Sequence, residues 1–182
     1  MNANTRISTP KTEEELLERT ESLIGKTLAY VINHNALSKN IHKGAIGQAF
    51  EHILGADAGN AAAPDFTSLG IELKTLPIGK NNQAKESTFV TAISLTQIMQ
   101  ETWETSYVYH KLKRVLWIPI EGDPQIPLAE RRVGQAFLWS PNPEQLAILR
   151  NDWQEFSNII ALGQLETISA KSGTYLQIRP KG

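Results

Sequence analysis

The run PDFTSLGIELK, residues 64–74, constrains this chain more than any other. It leaves a proline, passes through a Ser-Leu-Gly turn and enters an alternation that continues to Thr75. A strand would put Ile71, Leu73 and Thr75 on one side and Glu72 and Lys74 on the other. Residues two apart then share a face, with their backbones roughly 7 Å apart. Asp65 can reach that face through the turn.

Asp65 and Glu72 offer hard oxygen ligands for Mg²⁺, and the backbone carbonyl of Leu73 could supply another. Lys74 could position or deprotonate an attacking water and offset charge at a phosphate. A phosphodiester resists attack because its negative oxygens repel a nucleophile. A metal bridging carboxylates and phosphate reduces that repulsion, which a lysine alone could not do. If Glu51 points from its helix into the same cleft, it adds a third carboxylate and a second metal position. The same spacing also occurs on solvated strand faces that carry only a surface ion pair, and Glu51 also suits a helix-surface salt bridge. The spacing alone leaves both readings open.

The surrounding pattern predicts an α/β fold with helices over a central mixed sheet. Thr12 followed by Glu15 suits a capping box, with a helix from about Glu13 to Ile24 stopped by Gly25. A short helix is predicted over 27–32 and another over 44–54, with Gly55 as its stop. STFVTAISL, 87–95, reads as the strand beside IELKTL, with an exposed hairpin-like loop, PIGKNNQAKE, between them. VLWIPI, 115–120, reads as a strand whose Pro119 argues for an edge or end position, and 132–139 as a further one. Ser140-Pro-Asn-Pro opens a long helix with the apolar stripe Leu146, Leu149, Trp153, Phe156 and Ile160, and a last strand is predicted over 174–178.

At 182 residues with 41% hydrophobic and 20% charged residues, one folded domain is expected. The absence of cysteine excludes disulfides, thiolate zinc sites and a cysteine nucleophile. No signal-peptide stretch opens the chain and no run is long enough to span a bilayer, so the cytoplasm is the expected compartment. A net charge of −1 argues against binding DNA through bulk positive charge, so local clusters must carry any contact. Lys111, Lys113 and Arg114 form one such cluster, equally compatible with phosphates or a solvated edge. Arg179 and Lys181 could meet guanine acceptors or phosphates, or fray in solvent. His34, His42, His52 and His110 lack compact zinc spacing, which favours local hydrogen bonding.

Taken together, GAIGQAFEHILGA, PDFTSLGIELKTLP, TWETSYVYHKLKRVLWIPIEG and TYLQIRPK closely resemble the MutH family of mismatch-repair endonucleases, over nearly the whole chain. The resemblance implies a restriction-endonuclease-like fold, with a central mixed sheet flanked by helices and two arms around a DNA cleft. It implies Mg²⁺-dependent nicking of the unmethylated strand, 5′ to guanine, at hemimethylated GATC sites. It further implies stimulation by ATP-bound MutL after mismatch detection by MutS.

By the same resemblance Asp65 and Glu72 are metal ligands, Lys74 is the catalytic lysine, and Glu51 is the additional acid. Lys111 supports the site or contacts phosphate, while Arg179, Pro180 and Lys181 read the bases. A monomer is expected, since nicking one strand needs one active site. A related group of restriction enzymes that cut both strands is the nearest alternative. The family pattern continues past IRPK, so the chain is expected to lack the carboxyl-terminal part of the family domain, the part tied to methylation sensing and to MutL.

Overall fold

Each of the long helices is set by a residue that completes its end. In α1 (Glu13–Glu21), the Thr12 hydroxyl accepts the Glu15 N–H at 3.1 Å, and Glu13, Glu14 and Glu15 crowd the positive first turn. α1 is shorter than the sequence suggests: the chain leaves it for a turn that ends at Gly25, φ 75°, and Leu23 is buried from that turn. α2 (Leu28–Asn33) follows, burying Leu28, Val31 and Ile32. In α3 (Lys43–Leu54), His42 is the capping residue and its Nδ1 accepts the Ala45 N–H at 3.3 Å. That histidine therefore does local hydrogen-bonding work. Gly55 closes α3 in the left-handed region at φ 83°.

The computed structural model describes residues 7–33, 42–59, 62–169 and 171–179. Its chain divides into two compact units, Met1–Phe89 with Arg114–Trp139, and Val90–Lys113 with Ser140–Gly182.

The first unit holds the mixed sheet: β1 (Glu72–Ile78), β2 (Val115–Glu121) and β3 (Phe137–Trp139), in the order β1-β2-β3. β1 and β2 run parallel, with Glu72 opposite Val115 and Lys74 opposite Trp117, and β3 is antiparallel to β2. Because side chains alternate, Leu73, Leu116, Ile118 and Ile120 share one face and join a core with Leu16, Val31, Ile46, Phe50, Leu54 and Phe66. The opposite face carries Glu72, Lys74, Trp117, Phe137 and Trp139. Trp117 and Trp139 meet edge-on there, with ring centroids 6.4 Å apart.

Four expectations about strands are corrected. The neighbour of β1 is β2; residues 87–95 form no strand, since β-branched content gives extended backbone but not a ladder partner. Pro119 lies in the central strand and not at an edge. It is tolerated because its carbonyl accepts the Gly134 N–H at 2.8 Å on the β3 side, beyond the reach of β3 itself. A residue's N–H and C=O point the same way across a strand, so the missing donor falls beside a single bridge, Ile120 to Val133, and not within the continuous ladder. The predicted strand at 132–139 is reduced to β3, with single bridges at Arg132 and Val133. Residues 174–178 form no strand, because the N–H groups of Thr174, Tyr175 and Leu176 turn to the Asp152 carboxylate. The loop after β1 is as expected, a tight turn in which Gly79 donates to Gln83 and Asn82 takes φ 56°.

The second unit is built on α4 (Tyr107–Leu112) and α5 (Pro143–Ala161). Ser106 caps α4, a helix the sequence reading did not foresee. Asn142 and Gln145 form a reciprocal capping box at α5. Leu149, Trp153, Phe156 and Ile160 are buried as expected, and Trp153 meets Trp103 at 6.2 Å between centroids.

Candidate active site

Asp65 begins a tight loop that returns the chain to the sheet. Phe66 and Ile71 exchange backbone hydrogen bonds of 2.9 and 3.3 Å, with Gly70 at φ 66° between them. The loop is held from behind by Asp57, which accepts the Thr67 N–H at 2.8 Å and its hydroxyl at 2.7 Å. The N–H groups of Asp57 and Ala58 both donate to the Asp65 carbonyl, at 3.0 and 3.2 Å. With its backbone fixed in this way, Asp65 projects its carboxylate at β1, where Oδ2 accepts the Leu73 N–H at 2.8 Å.

That bond also fixes the direction of the Leu73 carbonyl. The Glu72 N–H donates to the Arg114 carbonyl at 3.0 Å, so the Glu72 backbone faces β2. The next residue must face the other way, and the Leu73 carbonyl therefore lies on the open edge of β1, the edge on which Asp65 sits. The sequence-predicted donors Asp65, Leu73 and Glu72 are thus brought together around one residue of backbone.

Asp65 and Glu72 are 9% and 3% exposed, unusual for carboxylates, which rarely stay buried without partners. Glu72 Oε1 has the Lys74 ammonium at 2.8 Å. Both sit on the face predicted from their spacing, and at 15% side-chain exposure Lys74 is far from a solvated surface pair. A buried carboxylate already neutralised by a cation, beside a second carboxylate and a free-edge carbonyl, is a donor set that fits a hard divalent ion. Among the described residues no three His, Cys, Asp or Glu side chains stand together in a metal-holding group.

The elements behind the site are braced by Arg114. Its guanidinium donates to both oxygens of Glu13, at 2.8 and 2.5 Å. Hydrogen bonding from Arg114 holds the Glu13 carboxyl below its ordinary value, and Glu13 raises Arg114 in return. The residue whose carbonyl anchors Glu72 is thereby tied to the first turn of α1.

Glu51 lies half-buried near the end of α3, its carbonyl accepting the Ala56 N–H at 2.8 Å. Lys111 lies in the last turn of α4, in the second unit. Tyr109 of that helix packs against Trp103, at 5.4 Å between centroids. Arg179 is exposed and donates to Gln177 Oε1 at 2.9 Å. Pro180 and Lys181 lie outside the described residues.

A mixed α/β chain with this carboxylate and lysine set falls in the class of DNA mismatch-repair enzymes: residues 54–152 match the family described as the DNA mismatch repair enzyme MutH. The matched span includes Asp65, Glu72, Lys74 and Lys111. Among individual relatives, the DNA mismatch repair protein MutH of Shewanella woodyi is 48% identical over 177 residues, covering 95% of this chain and 77% of the relative. The protein of the same name from Shigella flexneri serotype 5b is 50% identical over 179 residues, covering 96% and 78%. That from Escherichia coli strain SMS-3-5 is 50% identical over 181 residues, with the same coverage, 96% and 78%. This chain belongs to the MutH family.

Proposed function

We propose that this chain is a Mg²⁺-dependent DNA endonuclease that nicks the unmethylated strand 5′ to guanine at hemimethylated GATC sites during mismatch repair. The observation that carries the reading is the pair of buried carboxylates, Asp65 bonded to the Leu73 N–H and Glu72 one residue before it, with Lys74 against Glu72. Family membership supports the mismatch-repair setting.

Asp65, Glu72 and the Leu73 carbonyl would hold Mg²⁺, with Glu51 as the further acid. The ion, when bound, supplies positive charge that offsets the negative oxygens of the scissile phosphate. Lys74 donates a hydrogen bond that orients the attacking water and balances charge as the bond to phosphorus forms. The desolvated setting of Glu72 and Lys74 strengthens each of these interactions relative to bulk water. Lys111 contacts phosphate or supports the site, and Arg179, Pro180 and Lys181 read the bases, arginine and lysine being natural donors to guanine.

The partners in this reading are double-stranded DNA with a hemimethylated GATC site and MutL, with MutS acting upstream. The protein works as a monomer in the cytoplasm, its arms enclosing a DNA cleft. Among the described residues no helix is long and apolar enough to cross a membrane.

The test follows each labelled strand of a hemimethylated GATC duplex with Mg²⁺, with and without ATP-bound MutL. Nicking of the unmethylated strand alone, 5′ to guanine and lost on chelation, is the expected result. Binding without cleavage, or cleavage of both strands, would overturn it.

A further inference from the structure

We propose that Asp152 is a positioning residue for DNA selection: its buried carboxylate fixes the course of residues 174–176 and so sets where Arg179 is presented. This rests on the reading of Arg179 as a base contact.

Asp152 is only 1% exposed, yet none of the ion pairs among the described residues includes it. Its negative charge is met by backbone instead. The Thr174 N–H donates to Oδ1 at 2.9 Å and to Oδ2 at 3.0 Å, and Tyr175 and Leu176 donate to Oδ2 at 2.6 and 2.9 Å. Consecutive N–H groups wrapped around one anion form a nest, and bonds to an ionised acceptor are about twice as strong as neutral ones. Gly173 makes the wrap possible: it takes φ 79°, and a Cβ there would lie 2.1 Å from the Leu176 carbonyl oxygen and 3.0 Å from Phe156.

This segment forms no strand, and Tyr175 is 54% exposed. Arg179 follows Leu176 by a stretch that extends at most about 10 Å, so a displaced anchor moves the guanidinium by a comparable amount. A salt bridge from Asp152 to a lysine would fix one point. The nest fixes three successive residues, and with them the direction in which the chain leaves toward Gln177 and Arg179.

The test compares wild type with Asp152→Asn, Gly173→Ala and Arg179→Ala. Asp152→Asn keeps the size but removes the charge, and Gly173→Ala disturbs the same turn without touching the carboxylate, so the proposal survives a folding failure in either. For each, kcat and KM are measured on a GATC duplex and on duplexes with one base pair changed, together with amide hydrogen exchange at residues 174–176. Expected are faster exchange at those amides and a fall of about tenfold or more in discrimination, the range of one lost base contact. The loss appears in KM, and Asp152→Asn adds nothing once Arg179 is alanine. Faster exchange with discrimination retained, or a uniform fall in kcat at every duplex, would overturn the inference alone. A wild type that does not select GATC would overturn the reading of Arg179 and this inference with it.

Discussion

Glu72 and Lys74 meet as an ion pair at 2.8 Å, with side chains only 4% and 15% exposed. Removing one member of a buried ion pair typically costs about 3 kcal/mol or more. Lys74→Met is therefore expected to lower stability by about 3 kcal/mol in urea unfolding, and Mg²⁺ should raise its midpoint more than that of wild type, because a bound cation replaces the lost ammonium. Glu72→Gln should reduce nicking by a factor of about 100 or more while the far-ultraviolet spectrum stays unchanged. Wild-type turnover in Glu72→Gln would remove Glu72 from the metal site. Their shared face was legible from spacing alone, since alternation dictates it, but spacing left open whether the pair was a site or a surface ion pair. Their burial was not, because it depends on the tertiary surroundings of β1. Asp152 shows the opposite case. It sits three residues after Leu149 and immediately before Trp153, a charged residue within the apolar stripe of α5, and that misplacement was the available signal.

At the scale of elements, several helix ends were legible: Thr12, Gly55 and the Ser140-Pro-Asn-Pro opening each mark a boundary the structure respects, whereas the Ser106 cap of α4 gave no such signal. The strands were read less well, because extended propensity says nothing about which segment supplies the partner. Residues 87–95 and 174–178 have strand-like composition without a ladder, and β2 is central despite Pro119. Gly55→Ala is expected to cost about 1–3 kcal/mol, since φ 83° is strained for alanine and the new Cβ would meet the Ser8 carbonyl oxygen at 2.4 Å. Equal midpoints for Gly55→Ala and wild type in thermal unfolding would contradict that geometry. The Glu13–Arg114 pair sets a pH dependence. Glu13 is depressed in the folded protein, so its contribution is present above the ordinary glutamate value and is lost as pH falls through the lowered one. Arg114 stays charged throughout that window. Because Glu13 is partly exposed, the contribution is discounted to about 0.5–1 kcal/mol. Glu13→Gln should flatten the acid limb of the stability profile measured by urea unfolding, leaving neutral pH lower by that amount.

For the molecule as a whole, a net charge of −1 means that DNA affinity must come from a few placed cations. Lys111→Ala is expected to lower the slope of log affinity against log salt by about one, uniformly across sequences. An unchanged slope would take Lys111 off the phosphate backbone. The sheet has a further consequence. The acceptor for the Glu72 N–H is Arg114, and the strand that pairs with β1 among the described residues is 115–121, after the chain has made its whole excursion through Val90–Lys113. A nascent chain on the ribosome therefore carries Asp65, Glu72 and Lys74 for some time with no strand to seat them. If these three residues do the proposed cutting, a polypeptide released early would hold them without the strand that seats them, so that competence to nick DNA would arrive late in synthesis.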